Sequence, residues 1–312
     1  MNGLRRLHGW IRGALRETLD PPTGTAPSTY ALVLALRRVG RASNGSGNGS
    51  LPPGVTSRTR AVGPVTVRCY RPRADDETLP VTVFLHGGGW ISGGLDTNHD
   101  LCGCLAAETG RAVVAVDYRL APEHRYPAQL DDCDRVLDWL GRHGPANGLD
   151  PDDVTLFGAS AGGTLAAALA ADRNADATPA IRHQTLAYPP VDPAFDPRHG
   201  RPIPLRRLAR SILDGLWNLY LPPEADRSSP RVAPLRTTRV GALPATTVVT
   251  CGIDPLRVEG RAYARRLAAA GVPVARVAFP AYPHGFLTLL PRLDRERTVA
   301  AVRRIHGARP TR

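Results

Sequence analysis

The stretch that decides the fold is Val154-Thr155-Leu156-Phe157-Gly158-Ala159-Ser160-Ala161-Gly162-Gly163. It begins as a buried apolar strand, and the alanine-rich run from Thr164 to Ala171 reads as a helix. Ser160 therefore stands on a sharp strand-to-helix turn, with glycines at 158 and 162 where any Cβ would collide with neighbouring chain. Such a turn lifts the hydroxyl off the sheet and sets it beside the positive end of the following helix. A bare G-x-S-x-G pattern is common by chance, and alone it could be a glycine-rich loop with an incidental serine. Between strand and helix, with His86-Gly87-Gly88-Gly89-Trp90 lying 74 residues upstream, it reads as one half of an acyl-transfer site.

The upstream block follows Val81-Thr82-Val83-Phe84-Leu85, a second strand-like run. Consecutive glycines let a backbone approach a substrate carbonyl with its N–H groups pointing inward. Donors of that kind contribute roughly 3–4 kcal/mol each when aimed at a developing oxyanion. A phosphate-binding loop is the competing reading, but there is neither a G-x-G-x-x-G nor a P-loop lysine. The chain has no lysine at all, since all 40 basic residues are arginine, which excludes Schiff-base chemistry and a Ser-Lys pair.

Three further blocks accompany these two: Asp117-Tyr118-Arg119-Leu120-Ala121-Pro122-Glu123-His124-Arg125-Tyr126-Pro127-Ala128, Asp254-Pro255-Leu256-Arg257 and His284-Gly285-Phe286. In this collinear order the chain resembles the bacterial hormone-sensitive-lipase family of α/β-hydrolases over some two-thirds of its length. The resemblance implies an α/β-hydrolase fold: a mostly parallel eight-stranded sheet covered by helices on both faces, under a helical cap. It also implies a carboxylic-ester hydrolase. Ser160 would be the nucleophile, His284 the base and then the acid, and Asp254 the residue fixing the imidazole tautomer. The oxyanion would be received by Gly88, Gly89 and Ala161. Ala159 and Val258 stand where the family usually carries acids.

The residues can also be weighed on their own. A serine hydroxyl needs a general base, and the base an orienting carboxylate. Of the histidines after Ser160, His183 opens a strand-like run, His199 lies in a proline- and charge-rich stretch, and His306 falls in the last helix. His284 alone sits in a loop just past a strand, flanked by Pro283 and Gly285. Asp254 follows the β-branched run Thr246-Thr247-Val248-Val249-Thr250, with Pro255 placed to open the next helix. Asp254 could equally cap that helix. Glu259 is the nearest competing carboxylate, about one turn into the same helix.

Strands are expected at 62–70, 81–86, 112–117, 154–158, 183–188, 246–251 and 273–279, with helices between most of them. Helices are also expected near the N-terminus, with Leu4, Leu7, Ile11 and Leu15 on one face, and from Thr29 to Val39. Residues 41–55, rich in Gly, Ser, Asn and Pro, read as a flexible linker. The expected organisation is a cap segment with its linker over 1–55, a catalytic core over 56–188 and 245–312, and a cap insertion over 189–244. The insertion holds an apolar-periodic stretch from Leu205 to Tyr220. Trp90, Tyr188 and Trp217 are candidate walls of the substrate pocket.

The net charge is +12, and it is concentrated: residues 1–60 carry +7 and residues 201–240 carry +5, leaving the remainder neutral. A basic cap could draw in anionic esters, with Arg206, Arg207 and Arg210 as the natural contributors, or be a solvated surface. No aromatic-basic RNA motif or sustained basic helix is visible, so no nucleic-acid partner is expected. No apolar run reaches the roughly 18 residues needed to span a membrane, and arginines interrupt any signal-peptide core at the N-terminus. The five scattered cysteines read as reduced thiols of a cytoplasmic protein, without zinc-ligand spacing. No metal and no cofactor are expected, and a homodimer is left open. The sequence thus points to a serine carboxylesterase for short-chain esters. The alternative is a non-catalytic small-ligand binder on the same fold, against which His284 and Asp254 speak.

Overall fold

Runs of apolar and β-branched residues form a single eight-stranded sheet in the computed structural model, which describes residues 22, 25–44, 51–72, 78–173, 178–195 and 204–310. The strands are β1 (Thr56–Val62), β2 (Val65–Arg71), β3 (Leu79–Leu85), β4 (Ala112–Asp117), β5 (Leu149–Ala159), β6 (Ile181–Ala187), β7 (Ala245–Ile253) and β8 (Val274–Pro283). Their spatial order is β1-β2-β4-β3-β5-β6-β7-β8, and only the pairings of β2 with β1 and β4 are antiparallel. Strands such as Ala112-Val113-Val114-Ala115-Val116 are buried along their whole apolar run, as a parallel sheet covered on both faces requires.

Eight described helices do the covering or close the site: α1 (Pro27–Asn44), α2 (His99–Thr109), α3 (Ala128–His143), α4 (Ala161–Asp172), α5 (Pro204–Tyr220), α6 (Arg257–Ala269), α7 (Phe286–Leu293) and α8 (Arg295–Gly307). One apolar core joins the sheet to α3, α4 and α6 through Leu130, Leu137, Leu165 and Leu267. A second core on the other face uses Leu101 and Leu105 of α2, Leu287 of α7 and Ile305 of α8.

The expected N-terminal helix carrying Leu4, Leu7, Ile11 and Leu15 lies outside the described residues. The helix expected over 29–39 extends to Pro27–Asn44. Strand β1 is absent from the expectation because six of its seven residues are exposed and none of its apolar positions alternate. It is an edge strand carrying Arg58 and Arg60, closed onto β2 by the turn at Gly63-Pro64. Within the expected linker, residues 51–55 pack on the body of the protein: Val55 is buried and Leu51 lies against the second core.

The turn at Ser160 brings strand and helix backbones into close approach. A Cβ at Gly158 would stand 2.2 Å from the carbonyl oxygen of Gly162, and one at Gly162 would stand 2.0 Å from that of Leu85. Gly215, in the middle of α5, is exposed, and a Cβ there would meet nothing within 4 Å. Gly162→Ala should therefore lower the thermal midpoint by the equivalent of about 1–3 kcal/mol, because neither backbone can yield. Gly215→Ala should raise it by about 0.5–1 kcal/mol through helix propensity. Equal responses at the two positions would contradict the steric account.

Glu259 is 3% exposed, and its Oε1 accepts the backbone N–H groups of Val191 and Asp192, where the insertion leaves the sheet. Burial pushes its carboxyl up to about 8, against the pull of those two donors. The native state then holds this proton more tightly than the unfolded chain. The stabilising contribution is full below the ordinary glutamate value of 4.5 and is lost as the pH rises through about 8. Glu259→Gln keeps an acceptor but cannot ionise, so its midpoint should gain on the wild type across that window. An offset that does not change with pH would show that Glu259 does not titrate there.

Candidate active site

The end of β5 hands the chain to α4 through Ser160, whose φ of 52° and ψ of −119° lie in a region rarely adopted by a side-chain-bearing residue. Its N–H is held by the carbonyl of Ala187 at the end of β6, 2.8 Å away. Ser160 Oγ stands 2.9 Å from His284 Nε2, and His284 Nδ1 stands 3.0 Å from Asp254 Oδ2. A carboxylate can only accept, so Nδ1 carries the proton and Nε2 of the neutral ring accepts from the serine hydroxyl. Asp254 has a fully buried side chain, and its second oxygen accepts the N–H of Leu256 at 2.8 Å. Asp254 does not cap the next helix, which begins at Arg257 with Leu256 as its N-cap residue and no side-chain cap; its second oxygen instead closes the turn before that helix while the first meets His284. His284 is set by its own N–H, which donates to the carbonyl of Ile253.

The competing groups are occupied elsewhere. Glu259 binds the 191–192 backbone, His183 is buried with Nε2 3.1 Å from Thr247 Oγ1, and His306 lies on α8. His199 lies outside the described residues.

Ser160 opens into a cavity of about 370 Å³ whose walls include Gly88, Gly89 and Ala161. Ala161 is the first residue of α4, so its N–H has no acceptor within the helix. Among the described residues no backbone hydrogen bond uses the N–H of Gly88 or Gly89. The carbonyl of Gly88 instead accepts from the N–H groups of Ile91 and Ser92 and from the Ser92 hydroxyl. His86 supports this loop from below. Its ring stacks on Tyr118 with 4.0 Å between centroids, and the Tyr118 hydroxyl donates to the His86 carbonyl at 2.7 Å. Complete burial lowers the His86 imidazole to about 4, so it packs as a neutral ring.

Trp90 and Tyr188 line the cavity, and the Tyr188 ring meets the His284 ring edge-on at 4.8 Å. Trp217 does not line it. It is wholly buried and packs on Trp90 at 4.2 Å and on Tyr220, supporting the wall from behind. The reason is helical phase: Leu213 and Leu216 of α5 face the cavity, and position 217 is turned about 100° from 216. Among the described residues the non-glycine positions with positive φ are Trp90 (61°), Ser160 and Tyr188 (43°), and all three line this cavity. Strain of that kind collects at functional sites. A second, mainly apolar cavity of about 260 Å³ adjoins the first across His284, Leu213, Leu216 and Leu256, with Phe195 on its far wall.

Among the described residues of the insertion, three arginines hold carboxylates. Arg210 donates to Asp214 and to the carbonyls of Pro193 and Phe195, Arg231 pairs with Asp172, and Arg236 with Asp192. The side chains of Arg206 and Arg207 lie outside the described residues. Asp214 partly offsets the charge of Arg210. Sequence reading also passes over Arg37 of α1 and Leu213 of α5, which line the cavity. Arg37 gives no local signal, being one of many arginines with its partners far along the chain.

Among the described residues no group of three or more His, Cys, Asp or Glu side chains could hold a metal ion. No described helix is long and apolar enough to cross a membrane.

A family model described as alpha/beta hydrolase fold matches residues 82–288. The chain is 36% identical to carboxylesterase NlhH of Mycobacterium tuberculosis over 232 residues, covering 72% of this chain and 71% of that protein. It is 35% identical to an ethyl acetate hydrolase of Pseudomonas putida over 239 residues, covering 74% of each. Its fold matches a solved esterase of Pyrobaculum calidifontis with a TM-score of 0.75 and 32% identity, over 88% of this chain and 92% of that one. With this fold, and with relatives that are esterases, the chain belongs to the hormone-sensitive-lipase-like family of α/β-hydrolases and is a serine carboxylesterase.

Proposed function

We propose that ester cleavage is carried by Ser160, His284 and Asp254, acting on short-chain acyl esters. The observation that carries this reading is the hydrogen-bonded chain from Ser160 Oγ through His284 to the buried Asp254, opening into a cavity. Ser160 attacks the ester carbonyl while His284 Nε2 takes its proton. The negative charge that develops on the carbonyl oxygen is received by the N–H groups of Gly88, Gly89 and Ala161. His284 then gives the proton to the departing alcohol. Water, deprotonated by His284, cleaves the acyl-serine and restores the enzyme. Asp254 keeps the imidazole in the tautomer that accepts from serine and steadies the imidazolium that forms. The two cavities flank His284, so the acyl and alcohol parts of one ester can lie on either side of it.

Ser160→Ala should abolish both ester turnover and covalent labelling by an organophosphonate. Turnover surviving in a folded Ser160→Ala protein would remove Ser160 from the mechanism. Asp254→Asn should leave the fold intact and lower kcat by about 10⁴-fold, since the amide can favour the wrong tautomer. Glu259→Gln should change kcat far less, because its bonds run to backbone at 191–192. Reversed outcomes would overturn the choice of acid.

The acyl preference rests on the walls that Trp90, Leu120, Leu213 and Leu216 set around the larger cavity. Across a graded series of p-nitrophenyl esters, butyrate and hexanoate should be turned over faster than long-chain esters. Fastest turnover on emulsified long-chain triacylglycerol would replace the short-chain assignment with that of a lipase.

A further inference from the structure

Arg37 of α1 enters the wall of the catalytic cavity with only 13% of its side chain exposed. Its Nε donates to the carbonyl of Ile91 at 2.5 Å, and Nη2 donates to the carbonyl of Ala121 at 2.7 Å. The outer edge of the guanidinium forks onto both oxygens of Glu123, at 2.5 and 2.7 Å. Tyr30, two turns earlier on α1 and buried, donates to the same carboxylate at 2.9 Å. One planar cation thus joins three pieces of chain: α1, the loop after β3 and the loop after β4.

The loop after β3 is the one that carries Gly88 and Gly89. The carbonyl of Gly88 is turned back onto the N–H groups of Ile91 and Ser92, 3.2 and 3.0 Å away. In a trans peptide the carbonyl oxygen and the next N–H point in opposite directions, so this turn aims the N–H of Gly89 the other way. The far side of the turn is held in two places: the Trp90 carbonyl accepts from the N–H of Ala121 at 2.9 Å, and the Ile91 carbonyl accepts from Arg37. Arg37 also holds the carbonyl of that same Ala121. A lysine has no fork with which to serve two carbonyls and a carboxylate in one plane.

We propose that Arg37 is a positioning residue for the oxyanion turn, so that docking of α1 and alignment of the Gly88 and Gly89 donors are one event. The proposal rests on the reading of those N–H groups as oxyanion donors. The positioning role requires no contact between Arg37 and substrate. Its effect is felt in the transition state, where a donor displaced by a fraction of an ångström loses most of its worth.

The test uses the full chain carrying Arg37→Gln, Arg37→Lys or Glu123→Gln. Competent sites are counted by stoichiometric labelling with a p-nitrophenyl alkylphosphonate. On that count, kcat and KM are measured with p-nitrophenyl butyrate. The inhibition constant of a short alkyl trifluoromethyl ketone is measured too, since its serine adduct carries the oxyanion. Both Arg37 variants should lose about 10- to 100-fold in kcat per labelled site, with KM within about threefold of wild type. Ketone affinity should fall by the same factor as kcat/KM. Glu123→Gln, which keeps one acceptor oxygen, should show a smaller loss of the same kind.

A role confined to fastening α1 predicts something else: a lower thermal midpoint or fewer labelled sites, with kcat per site and ketone affinity within about twofold of wild type. That result would overturn the proposal, and because Glu123→Gln is the mildest change it provides the reading even if the Arg37 variants fold poorly. Absence of phosphonate labelling in the wild type would instead strike at Ser160 itself, and the oxyanion assignment would fall with it.

Discussion

Gly162 lies against the carbonyl oxygen of Leu85, with no room between them for even one side-chain carbon. That contact brings the end of β3 and the start of α4 to a fixed separation, and the chemistry of the site is laid out from it. Ser160 sits just before Gly162, and the glycine loop begins just after Leu85. Ser160 and the Gly88-Gly89 loop are therefore placed by backbone on backbone, which cannot relax by changing a rotamer. Tyr118, from the end of β4, adds a third strand to the arrangement by holding the His86 carbonyl and stacking on its ring. Neighbouring strands in a parallel sheet share a register, so the three ends arrive at one level.

The cost of this arrangement is local. Ser160, Trp90 and Tyr188 hold conformations that disfavour side-chain-bearing residues by about 1–3 kcal/mol each. Each is constrained by what surrounds it. Ser160 and Tyr188 hang from the strand backbone through Ala187 and Val249. Trp90 is buried between Trp217 and Tyr220, with ring centroids 4.2 and 4.5 Å away. Large aromatic surfaces taken from water offset the strain, and the polar groups of the cavity are then already in position when substrate arrives. Trp217, which does not face the cavity, acts on it through Trp90.

The parts of this protein legible in the sequence are those whose requirements are local. A strand that is buried on both faces must be a run of apolar residues, and a turn that passes under another chain must be glycine. Hence β2 to β8 and both glycine motifs can be placed from the residues alone. Strand β1 cannot, because an exposed edge strand asks only for paired backbone and leaves its side chains free to be polar. Contacts between distant segments are equally hidden. Nothing near position 37 announces Glu123, 86 residues later, and nothing in the insertion announces that Arg231 and Arg236 meet Asp172 and Asp192. Helical phase decides Trp217: the apolar periodicity of α5 is visible, but which of its neighbours faces the cavity depends on how the helix is seated.

The contact between Gly162 and Leu85 also bears on which substitutions the site can accept. The turn at Ser160 and the glycine loop are sterically interlocked, so a side chain added at 162 would need a matching shift of the backbone at Leu85. Leu213 and Leu216 stand on a different footing. They reach the cavity from α5, a separate helix that contributes only side-chain volume to it. Substitutions along that helix can reshape the space offered to substrate while leaving the reacting atoms where they are. The two halves of the site thus tolerate change differently: the interlocked backbone admits no single added side chain, whereas the side chains of the separate helix can be exchanged one at a time.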